Sequence, residues 1–372
     1  MVDSITSSSL DFLAGVRDFV QTKVAPASRT WEQQGAFDDW IWPELGKRGL
    51  LSIVLSRESG GMGETARTYC EVIREIAQGD PALAMNVAAI NALCVAHIDK
   101  FGTKEQRDQY LPGIIRGETK LAWGLTEPDA GSDARRVKTF AKPKDGDNGK
   151  FLINGEKMFI TNGGAANLIV MIARTSETEL SAFLVETNQP GFKVVERINT
   201  VGVSASNTVR FTLNDAVGWH TPCRFEEAIS LLYLGRLGIA AMAVGIAEKA
   251  HELAVAYSKQ REQFNRRLCD MQSVQNMIAD NDMEVAAARL LLHHGCAVYD
   301  SGAAAVKESS HAKLYASETA NRVTNRSLQI HGGRGMTREF LIEKLWRDAK
   351  LTEIGEGCSE IQRMVIAKQV LR

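Results

Sequence analysis

The sequence has no excess of either charge and no cysteine pair spaced for metal or redox chemistry. Its 44 basic and 45 acidic residues nearly cancel, which argues against nucleic acid or an anionic membrane surface as a partner. Without a CxxC pair we expect no metal site and no disulfide framework, but reduced thiols in a cytosolic protein. The cysteines are scattered along the chain: Cys70, Cys94, Cys223, Cys269, Cys296 and Cys358.

Segments that would direct the chain to a membrane are also scarce. The N-terminal stretch MVDSITSSSLDF lacks the basic and apolar regions of a secretory signal. The longest apolar run, residues 228–247, contains Arg236 near its middle. A charge at the centre of a membrane helix costs about 2.5–3.5 kcal/mol. The run therefore predicts a buried bundle helix in a cytoplasmic protein with no membrane partner.

What is present is the composition of an ordinary globular protein. The chain has 372 residues, of which 44% are hydrophobic and 24% charged, enough for two or three packed layers. Helical periodicity up to residue 121 changes to strand patterns over 122–222 and returns over 223–372. We therefore predict three domains with these bounds: an N-terminal helical domain, an inserted antiparallel β domain and a C-terminal four-helix bundle.

Local signals predict the ends of several N-terminal helices. Apolar residues three and four positions apart between residues 10 and 24 indicate a helix that stops at Pro26. Thr103 followed by Gln106 is typical of a capping box. The helix that this box opens is predicted to be interrupted at Pro112.

Turn and alternation signals predict the strands of the middle domain. Asn154-Gly155 is a strong hairpin signal between two short strands. Val209, Phe211 and Leu213 alternate with polar residues, so one face of their strand should be buried. Further strands are predicted at 168–173, 181–186, 191–198 and 209–213.

The most informative stretch covers residues 344–372, where two helices surround a break. The break is Gly-Glu-Gly at 355–357, and its glycines let the backbone turn and a ligand approach closely. Ser359 followed by Gln362 predicts a capping box at the start of the second helix. Glu356 then lies on a short, pinned loop, a placement that suits a general base. A solvated turn is the alternative.

Several motifs resemble those of the acyl-CoA dehydrogenase family, in the family's order. I-G-E-G-C-S-E-I-Q-R around Glu356 resembles the signature I-x-E-G-T-S-E-I-Q-R. Residues 126–133 resemble T-E-P-x-A-G-S-D, 159–162 resemble W-I-T-N, 261–264 resemble R-x-x-F-G and 329–335 resemble Q-x-x-G-G-x-G. The resemblance covers nearly the whole chain and implies the family's order of helical, β and helical domains.

The resemblance implies FAD-dependent α,β-dehydrogenation of an acyl thioester. Glu356 would take the α-proton while the β-hydrogen leaves as hydride to the flavin. Burial beside the acyl chain should raise the pKa of Glu356 toward the working pH. Some family members carry the base on the long helix, immediately before the residue that matches Arg236. Gly235 occupies that position here and cannot serve, which favours Glu356.

The resemblance also implies which residues contact the cofactor and the substrate. Arg261 matches an arginine that reaches the flavin pyrophosphate of a neighbouring subunit, so we expect a homo-oligomer, either a dimer or a tetramer. The implied FAD contacts are Trp123, Leu125, Thr126, Gly131, Ser132, Phe159, Ile160, Thr161, Arg261, Gln263, Gln272, Gln329, Gly332, Gly333, Cys358 and Glu360. The implied substrate contacts are Ser132, Tyr233, Arg236 and Gly355. For Arg236 a buried ion pair is the alternative.

Some positions depart from the family's pattern. Cys358 stands where the family has Thr, and Asn265 replaces the Gly that follows Phe264. Tyr233 stands where some members have Asp, and Gly355 replaces a bulky aromatic. The segment 214–226 is shorter than the family's strand-to-helix connection and lacks its V-P…L-G…G-x-G-F pattern, which puts recognition of coenzyme A in question.

Three other functions stay open at this point. The first is the same chemistry on an acyl-carrier protein in polyketide or peptide biosynthesis, because L-Y-L-G-R at 232–236 resembles that subgroup. The second is a flavin-free helical scaffold, and the third is a flavin oxidase or nitroalkane-type enzyme. For the dehydrogenase, the family's usual acceptor implies an electron-transferring flavoprotein as partner.

Overall fold

A computed structural model describes residues 6–146 and 149–372. The order of helical, β and helical regions confirms the predicted fold class. π-Helical turns at Val20–Val24 and Ile90–Val95 join α1 to α2 and α5 to α6. The N-terminal helices are α1 (Ser7–Phe19), α2 (Ala25–Gln34), α3 (Ile41–Lys47), α4 (Ala66–Gly79), α5 (Pro81–Ala89), α6 (Ala96–Phe101) and α7 (Lys104–Ile115).

Neither proline ends a helix where the sequence predicted an end. The turn Val20–Val24 leads directly into α2, so Pro26 lies in the first turn of that helix, where its missing N–H is tolerated. Helix α7 continues through Pro112, and burial of Ile114 in the core offsets the lost backbone bond. Both predictions were wrong, whereas the capping box at Thr103 is confirmed.

The middle region is one mixed sheet whose strands β4, β2, β3, β7 and β5 pair in a closed ring. Strands β1 and β2 run parallel to β4, and the other pairs are antiparallel, so the β domain is present as predicted but its sheet is mixed rather than wholly antiparallel. Strand β6 pairs with residues 209–213, the first part of β7. The strands are β1 (Leu121–Gly124), β2 (Phe140–Pro143), β3 (Lys150–Ile160), β4 (Leu168–Arg174), β5 (Leu180–Glu186), β6 (Phe192–Arg197) and β7 (Val209–Thr221).

Asn154-Gly155 does not form the predicted hairpin. Both residues lie inside the single strand β3, whose pairing with β7 is irregular between Ile153 and Gly155. Gly155 has a φ of 149°, and a Cβ there would lie 2.5 Å from Thr139 Oγ1. The glycine is therefore needed for the close approach of a neighbouring segment rather than for a turn.

Strand β7 has the predicted alternation, with Val209, Phe211 and Leu213 buried. The strand is longer than predicted and continues to Thr221. Only residues 222–224 then connect it to the next helix. The segment after residue 213 is therefore mostly strand, which explains why the strand-to-helix connection looks short in the sequence.

The C-terminal region is a helical bundle built on its longest helices. Helix α9 packs against α11 and, on its other side, against α4 of the N-terminal region, while α10 and α12 cover α11. One hydrophobic core joins the two helical regions, and the sheet has a core of its own. The elements are α8 (Phe225–Ser230), α9 (Leu232–Gln260), β8 (Glu262–Gln263), β9 (Arg266–Arg267), α10 (Gln272–Asp300), α11 (Val306–His331), α12 (Ile342–Ile354) and α13 (Ser359–Val370).

Among the described residues, two helical stretches are long and apolar enough to cross a membrane. They are Pro81–Phe101 and Phe225–Gln260, with mean hydropathies of 1.6 and 1.8. Inside the protein, 94% and 78% of their apolar windows are buried. Arg236 in the second stretch is buried as well. The position of both stretches is that of core helices, as predicted for residues 228–247.

Candidate active site

Glu356 lies on the turn of residues 355–357 that joins α12 to α13, which we call the Glu356 turn. Its φ is 55°, in the left-handed region that residues other than glycine rarely adopt. Gly357 follows with a φ of 95°. Such a backbone persists only where surrounding groups hold it.

Gln362 on α13 holds the Glu356 turn, but not through the predicted capping box. Cys358, not Ser359, is the N-cap residue of α13, and its side chain makes no capping bond. Gln362 Nε2 instead donates to the carbonyl oxygens of Glu356, at 3.3 Å, and Gly357, at 2.9 Å. The capping-box prediction was wrong because this amide binds the carbonyls of the turn rather than the cap.

The carboxylate of Glu356 lies against the backbone of α9. A Cβ at Gly235 would be 2.0 Å from Glu356 Oε2, so a side chain at position 235 would displace the carboxylate. Oε2 is buried and has no hydrogen-bond partner. Buried polar atoms are normally paired, and an unpaired carboxylate oxygen in a cleft is a mark of a functional group.

Two cations lie near this carboxylate without forming a salt bridge to it. Lys313 on α11 is fully buried, and its Nζ donates to Gly357 O at 2.8 Å. Burial raises the pKa of Glu356 to about 7, against the opposing pull of Arg236 and Lys313. Burial also lowers the pKa of Lys313 to about 8. The carboxyl group is thus set to exchange a proton near neutral pH.

Arg236 follows Gly235 on α9 and is 6% exposed. Its Nη1 lies 3.5 Å from Ser310 Oγ, and its buried Nε has no acceptor. Burial lowers its pKa. Its guanidinium carbon is 5.9 Å from the ring centroid of Tyr233. Because Arg236 forms no salt bridge to any residue in 6–146 or 149–372, the alternative of a buried ion pair is wrong.

The loop after β1 is fixed by a buried ion pair that the sequence did not indicate. Lys157 on β3 is fully buried, and its Nζ donates to Glu127 Oε1 at 2.9 Å and to Leu125 O at 3.0 Å. Met158 N donates to Thr126 O at 2.9 Å. Glu127 is therefore a structural residue, and the loop that carries Leu125 and Thr126 is tied to the strand that leads to Phe159.

The structure brings the first motif beside the last. Ser132 Oγ and Cys358 Sγ lie 3.7 Å apart although 226 positions separate them in the chain. No atom lies within 4 Å of a Cβ placed on Gly131. Ser132 is exposed, so this contact faces open space rather than the core. The two motifs therefore meet directly beside the Glu356 turn. Glu360 is exposed on the first turn of α13.

In the motif at residues 159–162, the ring of Phe159 lies on the surface and the side chain of Ile160 lies in the core. Phe159 has a φ of 58° and is 56% exposed. Ile160 is buried within the sheet, so only its backbone can face a ligand. Thr161 follows directly and is partly buried. An exposed phenyl ring beside a polar turn is suited to lie against a flat ligand.

The remaining motif residues lie at the opposite end of the bundle, at the ends of α9, α10 and α11, and we call them the distal patch. Arg261 comes 26 positions after Gly235, and Gln329 comes 16 after Lys313, so about 40 Å and 24 Å of helix separate the two ends. Apolar contacts among the ends of α9, α10 and α11 hold this end together. The distal patch consists of Arg261, Gln263, Gln272, Gln329, Gly332 and Gly333.

Sequence reasoning missed the residues that support the site. Lys313 occupies a core position of α11, between the buried residues Ser309 and Ser317 on the same helix face. Lys157 likewise occupies an inward position of β3. A lysine at a buried position of a helical or alternating pattern was the signal available in both cases.

The described residues fit a flavin cofactor. The buried Trp123 Nε1 has no acceptor in the protein, as expected of a donor that meets a ligand. Gly332 and Gly333 have open space where a Cβ would be, and Phe264 beside Arg261 is 89% exposed. In the described ranges, 6–146 and 149–372, no group of three or more His, Cys, Asp or Glu side chains is placed to hold a metal ion.

Three domain descriptions match the chain in order. They are the acyl-CoA dehydrogenase N-terminal domain at residues 6–118, the middle domain at 122–216 and the C-terminal domain at 225–371. An acyl-CoA dehydrogenase of Bacillus subtilis (strain 168) is 38% identical over 366 residues, 96% of each chain. The chain therefore belongs to the acyl-CoA dehydrogenase family.

Solved structures agree with this assignment. The butyryl-CoA dehydrogenase of Megasphaera elsdenii superimposes with a TM-score of 0.95 at 34% identity over 99% of both chains. A glutaryl-CoA dehydrogenase of Mycobacterium smegmatis in complex with FADH2 has a TM-score of 0.93 at 27% identity, over 98% of this chain and 95% of that one.

The name of a third relative refers to a complex with Etf. The caffeyl-CoA reductase-Etf complex subunit CarC of Acetobacterium woodii is 34% identical over 352 residues, 92% of each chain. Together these findings identify a FAD-dependent oxidoreductase of CH–CH groups. The flavin-free scaffold and the carrier-protein alternative are not favoured.

Proposed function

We propose that this protein dehydrogenates the α,β bond of an acyl-CoA with Glu356 as the base. The observation that carries this proposal is the state of Glu356 Oε2. This atom is buried, has no partner and lies where Gly235 leaves room for it. The raised pKa of about 7 matches a group that must take a proton at neutral pH.

In this mechanism the residues of the chain hold the substrate and move one proton. Glu356 Oε2 accepts the α-proton as the C–H bond breaks. FAD, when bound, supplies the acceptor for the β-hydrogen, which leaves as hydride. Arg236 and Lys313 stabilise the ionised carboxylate, and the buried surroundings exclude water. Because only the ionised carboxylate accepts a proton, kcat/KM should rise with pH through about 7.

The decisive experiment is an anaerobic visible spectrum before and after addition of saturated acyl-CoA thioesters. The wild-type flavin should bleach, and the thioester that bleaches it fastest names the acyl class. Glu356→Gln should retain the yellow flavin but bleach about 10²–10⁴ times more slowly, because the base is lost.

Glu318→Gln is the matched control, since Glu318 is a carboxylate on α11 that pairs with Arg363 of α13 near the surface. It should bleach at the wild-type rate. Bleaching of Glu356→Gln at the same rate as this control would exclude Glu356 as the base.

A carrier-protein thioester is the second candidate substrate. The comparisons do not favour it, and the reason to test it is that the segment 214–226 lacks the family's V-P…L-G…G-x-G-F pattern. The same titration therefore includes an acyl-carrier protein bearing the same acyl group. Faster bleaching by the carrier-bound form would reassign the substrate while retaining the chemistry.

We further propose that the implied cofactor contacts act in two groups in a homo-oligomer. One chain supplies the cleft lined by Trp123, Thr126, Ser132 and Phe159, and a neighbouring chain supplies its distal patch. The distance of about 24–40 Å between the two ends of the bundle supports this division. Co-expression of Glu356→Gln with Arg261→Ala chains tests it, because mixed oligomers would then contain some fully intact sites.

The proposal also covers the partner, the location and the domains. An electron-transferring flavoprotein is the proposed acceptor, as the name of the relative CarC suggests, and reduction of such a flavoprotein in a coupled assay tests it. A cytoplasmic location and domain bounds at 1–121, 122–222 and 223–372 stay proposals. Fractionation of cells and expression of the single domains would test them.

A further inference from the structure

Lys313 is a buried cation that the proposed chemistry does not yet explain. It lies on α11, fully buried, and no carboxylate within the described residues comes near enough to form a salt bridge with it. A buried lysine without such a partner is unfavourable unless another role retains it. Within the described residues, its Nζ donates one hydrogen bond, to Gly357 O at 2.8 Å.

Gly357 O accepts hydrogen bonds from two side chains that differ in charge. Lys313 Nζ lies 2.8 Å away on α11, and Gln362 Nε2 lies 2.9 Å away on α13. Both side chains are buried, and both fix the left-handed turn that carries Glu356. One carbonyl is thus held by a charged donor and by a neutral donor, which provides a natural comparison within the chain.

We propose that Lys313 is a positioning residue that holds the Glu356 turn through Gly357 O and, in its protonated form, places a positive charge near the carboxylate that favours the ionised state of Glu356. This inference rests on the proposed function, in which Glu356 is the base. Gln362 shares the first task but not the second. Replacement of Lys313 and replacement of Gln362 should therefore have different effects on the enzyme.

The groups that face Glu356 from each packed element support a role of charge. Arg236 on α9 and Lys313 on α11 pull its pKa down. Tyr69 on α4 is neutral, since burial raises its pKa well above the usual value. Cys358 on α13 borders the turn. Within the part of the chain that the structure describes, two cations thus oppose the effect of burial on this pKa, and loss of either should raise the pKa further above 7.

The test compares Lys313→Met with Gln362→Met in the FAD-loaded enzyme. Each variant removes one donor to Gly357 O, but only the first removes a charge. In Lys313→Met we expect the acidic limb of kcat/KM to move upward by about one pH unit or more. In Gln362→Met the rate should fall severalfold with the limb unmoved. Lys313→Arg should return the limb toward its wild-type position.

A second readout does not depend on turnover. Infrared titration of the carboxyl band, assigned by its loss in Glu356→Gln, should show the same upward shift in Lys313→Met only. If Lys313→Met does not fold, Lys313→Gln takes its place, since it retains a donor without the charge. Equal positions of the band in the lysine and glutamine variants would overturn the proposal.

The two proposals can fail separately. Turnover by Glu356→Gln at the wild-type rate would disprove the proposed function. The infrared titration would still show whether Lys313 lowers the pKa of the Glu356 carboxyl group. A normal limb in Lys313→Met together with a slow Glu356→Gln would instead retain the base and reject the role of Lys313.

Discussion

The two ends of the C-terminal bundle differ in how far their functional residues are buried. At the Glu356 turn, the supporting residues Gly235, Lys313 and Gln362 are buried and belong to the same chain. The distal patch is open, with free space around Gly332 and with Phe264 nearby in the chain 89% exposed. The proposed base is therefore held by buried groups of its own chain, whereas the other end of the bundle presents a solvent-accessible surface.

Gly235→Ala tests the buried end and has the largest expected effect. The new Cβ would lie 2.0 Å from the present position of Oε2, so the carboxylate must move. Displacement by about 1 Å typically lowers a rate about 10²-fold. We expect this loss in kcat with an unchanged flavin content, measured by stopped-flow bleaching.

Gly15→Ala is the control for the helical substitution itself, because no atom lies within 4 Å of its added Cβ. It should retain full activity. A Gly235→Ala enzyme with normal kcat would mean that the carboxylate has no fixed place at α9.

Arg261→Ala tests the open end and should affect cofactor affinity instead. Loss of a charge-assisted bond to a pyrophosphate would weaken FAD binding about tenfold. The kcat at saturating FAD should stay normal, because the proton transfer occurs at the other end. Equilibrium dialysis with FAD measures the change.

Arg266→Ala serves as its matched control, since Arg266 is an exposed arginine on the two-stranded ribbon that directly follows Arg261. A fall in kcat at saturating FAD, without a change in affinity, would contradict the division of labour between the two ends.

Added salt should weaken FAD binding severalfold and leave the proton transfer unaffected. Raising ionic strength from about 0.1 M to 1 M shortens the Debye length from about 10 Å to 3 Å. FAD affinity should fall because Arg261 is only partly buried, so salt can screen its charge. The acidic limb of kcat/KM should stay in place, since the charges around Glu356 are buried. A limb that moves with salt would show that these charges are solvated.

Cys358→Thr should produce the smallest change. It restores the residue that the family carries at this position, beside Ser132. A hydroxyl forms a stronger hydrogen bond than a thiol, so FAD binding should tighten about twofold to fivefold. The dialysis measurement checks this, with Cys269→Thr as a control. Weaker binding would place the thiol outside the cofactor site.

The sequence predicted the Glu356 turn and its neighbours better than it predicted local ends. Gly355 and Gly357 frame the carboxylate as expected, and the motifs at Ser132 and Cys358 meet. Local signals failed where tertiary contacts decided the outcome. Gly155 makes room for Thr139 instead of a hairpin, and a π-helical turn allows the chain to pass Pro26.

The supporting residues of the site could not be predicted because their partners are distant in the chain. Lys313 binds a carbonyl 44 positions away, and Lys157 binds one 32 positions away. Neither contact can be read from the spacing of the motifs. What the pattern does contain is a lysine at an inward position, and this indicates a buried charge without naming its partner.

The contact at Gly235 also limits how this enzyme could have evolved. The positions 235 and 356 compete for one small volume, so a glutamate on the helix and a glutamate on the turn exclude each other. Transfer of the base from one position to the other therefore requires two coordinated exchanges, and either exchange alone gives a poor catalyst. The pair is epistatic for a purely steric reason, which Gly235→Glu combined with Glu356→Gly would reveal against its two single variants.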